Sequence, residues 1–561
     1  MPQTPADPWW KSAVVYQIYP SSFQDADGDG LGDLPGVIDR LDYLHTLGVD
    51  VVWLSPVYPS PLADNGYDIS DYLGIHPRFG TLADWDRLRD GLHERGMRLV
   101  MDLVVNHTSD EHPWFADSRA SRDSPYRDFY FWRPGRGDGP PNNWGSVFSG
   151  PAWTRDDATG EYFLHLFTRN QPDLNWENPK VREQVHDIAR WWLDRGADGF
   201  RMDVVNFVSK APGLPDGPVP PGSGYGLFAE YSINGPRLHE FLGELRDAAF
   251  AGRDVLTVGE MPGVSVEQAR AHTDPVDGEV SMVFQFEHVD LDHGPGGKFD
   301  RVPLDLRRLK GSLDRWQLGL ADRGWNSLYL NNHDQPRAVS RFGDDGEHRT
   351  ASAKTLATTL HMMKGTPYVY QGEELGMANA GFSDISEYRD VETHNHYLHA
   401  MAAGADEARV MAGIARMSRD NARTPMQWDA SPNAGFTTGT PWIAVNPDHT
   451  EVNAEAALAD PDSVFHHYRR LIALRKEHPV VVHGAYTPLL PEHPALYAYT
   501  RTLDGTVLTV LANWSADTVA VDAAPAVAGP RPELLLGTHP AAEEGVFAPL
   551  RPWESRVLLS R

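Results

Sequence analysis

GADGFRMDVVNF, residues 196 to 207, carries charges into a stretch that otherwise reads as a core strand. Strand side chains alternate between two faces, which puts Arg201 and Asp203 on one face and Phe200, Met202 and Val204 on the other. A neighbouring arginine favours the charged carboxylate, and a positioned, ionised carboxylate is what a nucleophile requires. An isolated R-x-D reads more readily as a structural ion pair. The other strands of the chain decide between the two readings.

Outward from this stretch, one pattern repeats through the first 375 residues: an amphipathic helix, a glycine that stops it, then an apolar strand. Val37, Leu41, Leu44 and Leu47 have helical spacing over 35–47, and Gly48 precedes VDVVWLSP. Thr81 can cap a helix with Trp85, Leu88 and Leu92 on one face, ended by Gly96 before MRLVMDLVVNH. Asn178 and Pro179 open another as cap and first helical residue, with Val181, Val185, Ile188 and Trp192 facing inward.

The eight strand candidates are 14–20, 49–56, 97–107, 196–204, 254–260, 281–288, 325–334 and 365–374. Near-continuous apolar strands alternating with helices indicate a parallel sheet covered on both faces, and eight repeats predict a (β/α)₈ barrel. A doubly wound open sheet is the alternative, although no Gly-rich phosphate loop follows any strand.

The spacing breaks between His107 and Pro179, a connection rich in Pro, Gly, Trp and Asp. The expected organisation is therefore a barrel over 1–107 and 179–480, an inserted domain over 108–178, an irregular insertion over about 378–455, and a C-terminal antiparallel β-sandwich over 481–561.

Composition removes several function classes. The 561 residues include 78 acidic and 50 basic ones with no long single-sign run, which argues against nucleic acid or an anionic membrane as partner. With no cysteine, disulfides, thiolate metal sites and cysteine nucleophiles are excluded. No apolar run approaches the ~18 residues of a membrane span, and the N-terminal stretch lacks a basic region followed by an apolar one. A soluble, cytoplasmic monomer or small homo-oligomer acting on a small molecule, with no organic cofactor, is expected.

Catalytic groups of such barrels sit at the C-terminal ends of strands. Those ends carry Asp102, Asn106 and His107 on the third strand, Arg201 and Asp203 on the fourth, Glu260 on the fifth, and His333 and Asp334 on the seventh. Two close carboxylates are the apparatus of retaining glycoside hydrolysis. Asp203, paired with Arg201, is expected to attack. Glu260, on an apolar strand without an adjacent cation, is expected to hold its proton for the leaving oxygen. Asp334 would stabilise the oxocarbenium-like transition state or grip sugar hydroxyls.

DLVVNH, GFRMDVV, the Glu ending VLTVGE, NNHD and QPDLN (171–175) resemble the ordered motifs of the α-amylase family, glycoside hydrolase family 13. With DNGYD (64–68) and RDNARTPMQWD (419–429), the resemblance covers nearly the whole chain and is greatest to the oligo-1,6-glucosidase and α-glucosidase branch. It implies Asp203 as nucleophile, Glu260 as acid/base and Asp334 as stabiliser, in agreement with the residue-level reading. It further implies that Asp64, Tyr67, His107, Arg201 and His333 hold the non-reducing glucose, with Phe148 and Phe167 lining the pocket. An Asp64 to Arg bridge closing the pocket end is typical of the branch. Arg423 is the first choice for that arginine and Arg419 the second. Val204 resembles the residue found in α-1,6-preferring members, which leans the expectation to short α-1,6-linked gluco-oligosaccharides, with α-1,4 linkages as a further substrate.

The alternatives are a transglucosidase or sucrose isomerase sharing the glucosyl-enzyme intermediate, and a non-catalytic barrel scaffold, which predicts loss of a carboxylate. DADGDGLGD (25–33) spaces Asp25, Asp27, Asp29 and Asp33 as in the first nine positions of an EF-hand loop, with Leu31 offering its carbonyl. Position 12 is Gly36 instead of Glu, and an acidic solvated loop fits the spacing equally. Resemblance to the branch implies a structural Ca²⁺ there.

Overall fold

The computed structural model describes residues 7–220, 223–521, 531–539 and 545–561. Residues 1–6 and 221–222 of the expected barrel, and 522–530 and 540–544 of the expected C-terminal domain, lie outside the described residues. Eight parallel strands organise the chain: β1 (Val15–Ile18), β2 (Val51–Leu54), β3 (Arg98–Val104), β4 (Gly199–Asp203), β5 (Leu256–Glu260), β6 (Met282–Phe284), β7 (Ser327–Leu328) and β8 (Thr366–Tyr370). Their order is β7-β8-β1-β2-β3-β4-β5-β6. A parallel bridge between Val283 and Asn326 joins the two ends of that row. The sheet thus closes into a (β/α)₈ barrel, and the open doubly wound alternative falls.

Strand period sets the two cores. Val15, Val51, Trp53, Val100, Leu256, Val258 and Phe284 fill the ring, while the alternate residues Tyr16, Val52, Leu54, Leu99, Met101, Phe200 and Met202 pack outward into the helices. Toward the C-terminal ends the inward series turns polar, with Gln17, Asp102, Arg201, Asp203 and Glu260 all buried. The parity read from GFRMD holds, and the register pairs Asp102 with Arg201 across β3 and β4.

The helices form where their caps and apolar spacing dictate. Thr81 and Asp84 make a reciprocal capping box at Leu82–Glu94. Asn178 caps Pro179–Asp194, which buries Val181, Val185, Ile188 and Trp192. The helix expected over 35–47 is two, Leu34–Asp39 and Leu41–Leu47, because Arg40 leaves the helical region at φ −106°, ψ 9°. Its guanidinium stacks on Trp428 at 4.1 Å.

The connection after β3 carries a helix (Pro113–Ala120) and a small antiparallel sheet of Trp132–Arg133, Tyr162–Leu164 and Trp153–Arg155. It returns to the barrel mouth through a bridge between His107 and Asp173. The segment over about 378–455, expected to be irregular, instead contains helices Val391–Ala402 and Glu407–Met417. Asp390 and Asp406 cap them, and Val410, Ile414 and Met417 bury one face of the second. Among the described residues no helix is long and apolar enough to cross a membrane.

A five-stranded antiparallel sheet ends the chain: β9 (Ala485–Leu489), β10 (Leu496–Leu503), β11 (Thr506–Asn513), β12 (Glu533–Gly537) and β13 (Ser555–Ser560), in the order β9-β10-β11-β13-β12. It is fastened to the barrel by buried cations. Arg501 donates to the carbonyls of Met362, Val481 and Gly484. The Lys310 ammonium, on a barrel helix, donates to the carbonyls of Leu490, His493 and Leu496 at 2.7, 2.7 and 3.0 Å. Lys310→Met keeps the stem and removes three charge-assisted bonds, so a loss of about 2–3 kcal/mol is expected, read as a lower midpoint in scanning calorimetry.

Candidate active site

Arg201 is the hub of the barrel mouth. Buried at 1% exposure, its Nη1 lies 2.9 Å from Asp102 Oδ1 and 2.7 Å from Asp203 Oδ1. Its Nη2 lies 2.7 Å from Glu260 Oε2. One guanidinium therefore serves the ends of three adjacent strands. Asp102 is fixed in turn by Trp53 Nε1 at 3.2 Å and Tyr67 Oη at 3.0 Å. The expectation that Glu260 has no adjacent cation is corrected: its cation arrives from the neighbouring strand, which spacing within VLTVGE cannot reveal.

Three carboxylates share one positive charge in a buried space, so the cluster favours retaining a proton. Burial pushes the Glu260 carboxyl up to about 8, with Arg201 opposing and Asp203 and Asp334 adding to the rise. Burial also raises Asp203 above the ordinary carboxylate range despite Arg201, with Asp102 and Asp334 adding to it. The proton belongs on Glu260, which makes it the acid and leaves Asp203 the better placed to be the anion. Burial also raises Asp334, but the guanidiniums of Arg419 and Arg423, 3.1 and 2.9 Å away, outweigh it and hold the group well below the carboxylate range. Burial lowers His333 itself to about 3, leaving a neutral ring. That ring stacks on Tyr67 at 5.1 Å, and its Nδ1 meets Gln17 Nε2 at 2.8 Å.

Asp203, Glu260 and Asp334 face a cavity of about 330 Å³ that also brings together Asp64, Tyr67, His107, Phe148, Phe167, Val204 and Arg419, while Arg201 and His333, expected to hold the glucose, stand outside its lining. Its inner end is closed by Arg419 Nη2 and Asp64 Oδ1 at 3.2 Å. The first choice for this bridge, Arg423, is corrected. Arg423 donates through Nε to the His333 carbonyl at 3.0 Å and through Nη2 to Asp334 Oδ1 at 2.9 Å. Asp390, a residue that sequence reasoning missed, sets the difference by holding Arg419 at Nη2 (2.5 Å) and Nε (2.9 Å).

Gln171 was missed as well, although QPDLN was noted as a motif. Its Nε2 reaches Asp64 Oδ2 at 3.1 Å and lies 3.2 Å from His107 Nε2. Phe148 and Phe167 meet edge to face at 5.6 Å, and Phe148 lies under the Arg419 guanidinium at 4.8 Å.

Val204 departs from the face assigned to it. β4 ends at Asp203, and Val204 takes a left-handed conformation at φ 33°, ψ 41°, which a β-branched residue rarely adopts. The turn aims its backbone N–H at Glu260 Oε2, 3.0 Å away, and places the side chain on the pocket wall.

At the 25–33 loop, oxygens of Asp25, Asp27 and Asp29 lie within 4.8 Å of one another. Asp33 is turned away to cap helix Leu34–Asp39, accepting from the Gly36 N–H at 2.6 Å, and from the Ala26 N–H at 3.2 Å. The Leu31 N–H donates to Asp29 Oδ1 at 2.8 Å, which ties that residue into the loop.

Residues 17–484 match the family described as alpha amylase, catalytic domain. The chain is 56% identical over 555 residues to an oligo-1,6-glucosidase of Halalkalibacterium halodurans, covering 99% of each chain. It superimposes on the crystal structure of a trehalose-6-phosphate hydrolase of Bacillus licheniformis with a TM-score of 0.92 at 45% identity, covering 99% of this chain and 100% of that one. An isomaltulose synthase of Klebsiella sp. LX3 gives 0.94 at 41% identity, covering 99% of each. With the matched catalytic domain spanning most of its length, the chain belongs to the α-amylase family.

Proposed function

We propose that the protein is a retaining α-glucosidase that removes glucose from the non-reducing ends of short α-1,6-linked gluco-oligosaccharides, with α-1,4 linkages as a further substrate. The observation that carries this reading is the Arg201 guanidinium bridging Asp203 and Glu260 at the wall of a pocket closed by Asp64 and Arg419. A single guanidinium holds the two carboxyls side by side, in keeping with the short spacing of double displacement, about 5–5.5 Å, as opposed to the wider gap that must admit a water.

Glu260 gives its proton to the glycosidic oxygen as Asp203 Oδ attacks the anomeric carbon. The sugar bond to the leaving group breaks and a glucosyl ester to Asp203 forms. Glu260, now anionic, takes a proton from water as that water's oxygen attacks the same carbon and releases Asp203. Asp334, ionised and fixed by two arginines, offers negative charge to the oxocarbenium-like transition state. Val204 supports the α-1,6 preference, as does the likeness to the Halalkalibacterium halodurans enzyme. Transfer of the glucosyl group to a sugar shares the first step, and the product distinguishes it.

We further propose that Ca²⁺ is held in the 25–33 loop by Asp25, Asp27, Asp29 and the Leu31 carbonyl. The hard-oxygen donor set supports this, as does the convergence of the three carboxylates. The ion would brace the loop and take no part in hydrolysis.

Three outcomes test these readings. With isomaltose, maltose and sucrose supplied separately, early-time product analysis should show glucose released fastest from isomaltose. Asp203→Ala should lower kcat by about 10⁴-fold or more, while sucrose isomers or longer sugars would favour the transferase. The basic limb of kcat/KM should fall through about pH 8, where Glu260 loses its proton. This limb should vanish in Glu260→Gln when a substrate with a leaving group that needs no proton is used. Chelation with EGTA should lower the thermal midpoint, restored by Ca²⁺, with kcat at 25 °C unchanged; an unaltered midpoint rejects the ion.

A further inference from the structure

The two ends of the catalytic pocket differ in exposure and in charge. At the inner end, the Asp64 and Arg419 side chains are 6% and 7% exposed. The remaining wall comes from the segment after β6 and the start of helix Val391–Ala402, and opens to solvent. Asp290 is 54% exposed there, Glu392 19% and Lys298 18%. The mouth is therefore the side through which a leaving group departs.

Its electrostatics are one-sided. Lys298, carried on the short strand Gly297–Arg301, is the one ammonium among the described residues that line this pocket, and Glu392 already neutralises it with Nζ 2.6 Å from Oε2. Among the described residues no Lys or Arg pairs with Asp290 directly: His293 Nδ1 lies 3.5 Å away, and the charges of Arg341 and Lys298 reach it at longer range. Burial and the Arg341 charge keep that imidazole neutral. Asp203 and Glu260 lie deeper in the same cavity.

We propose that Glu392, by neutralising Lys298, together with Asp290, makes the leaving-group side of this pocket selective for uncharged sugars and excludes phosphorylated ones. A phosphate monoester carries about −1.5 to −2 charge at pH 7. Here it meets the Asp290 carboxylate, which no Lys or Arg pairs directly, and an ammonium whose charge is already used by Glu392, so binding requires breaking a charge-assisted bond. Specificity then comes from a repulsive element as much as from attraction. The contrast is with the trehalose-6-phosphate hydrolase that shares the fold at 45% identity: the scaffold accommodates a phosphorylated substrate in that protein, and the charge at the mouth sets which kind of sugar enters in this one. The inference rests on the glucosidase reading only in taking the Asp64 and Arg419 end as the glucose end.

The test uses calorimetry on the full-length Asp203→Ala protein, so that ligands bind without turnover, with trehalose and trehalose 6-phosphate as a matched pair. Trehalose is expected to bind at least about tenfold more tightly than its phosphate, and Glu392→Gln, which frees Lys298, should strengthen binding of the phosphate relative to trehalose by about tenfold. That variant also loses the 3.6 Å contact of Glu392 with Arg419 Nε, but Asp390 continues to hold Arg419 at Nε and Nη2, so the closed inner end persists. Circular dichroism and retained isomaltose binding establish that the variant is folded. Equal or tighter binding of the phosphate by the Glu392 form overturns the proposal, as does a Glu392→Gln protein that leaves phosphate binding relative to trehalose unmoved. Failure of the glucosidase reading would show separately, as wild-type protein that does not cleave isomaltose.

Discussion

One guanidinium organises the mouth of this barrel. Arg201 is surrounded by Asp102, Asp203 and Glu260, contributed by three neighbouring strands, and a buried charge of this kind is tolerated only when it is paired and hydrogen-bonded. The pairing fixes the register in which β3, β4 and β5 present their ends, because a one-residue slip would send Arg201 outward among the apolar helices. It also leaves more negative than positive charge in the cluster, which is why a proton stays there at neutral pH. Structure and reactivity thus depend on the same side chain.

What the sequence discloses divides along local and non-local lines. Strand parity, the Thr81 and Asn178 caps and the glycines after each helix are short-range signals, so the barrel and the inward direction of Arg201, Asp203 and Glu260 follow from spacing. The Arg419 and Arg423 pair does not yield to that logic. Both lie near Asp334, at 3.1 and 2.9 Å, and partners remote in sequence separate them: Asp390 and Glu392 hold Arg419 beside Asp64, while the His333 carbonyl holds Arg423. Glu260 gains its cation from another strand, and Val204 leaves its strand's alternation through a left-handed turn; neither event has a signature in adjacent residues. The helices over 391–417 were hidden for a different reason: their caps are aspartates amid many other polar residues.

The pocket is assembled from distant parts of the chain. Asp64 and Arg419 are separated by 355 positions, Phe148 and Phe167 come from the excursion after β3, and Glu392 from the segment after β8. Rigid strand ends hold the reacting carboxylates, while longer connections supply the walls. Such an arrangement lets the walls vary in sequence without disturbing the chemistry beneath, in keeping with the different activities named for proteins of this fold.

The closed inner end has a kinetic consequence. With Asp64 and Arg419 in contact, a saccharide cannot thread through the site and advance after a cut; the shortened chain must withdraw, and glucose must leave by the way it entered. Each encounter therefore yields one glucose, and processive digestion is ruled out by shape. The flux through the enzyme follows the molar concentration of sugar termini, not the mass of carbohydrate, so a gram of disaccharide is a far richer supply than a gram of polymer.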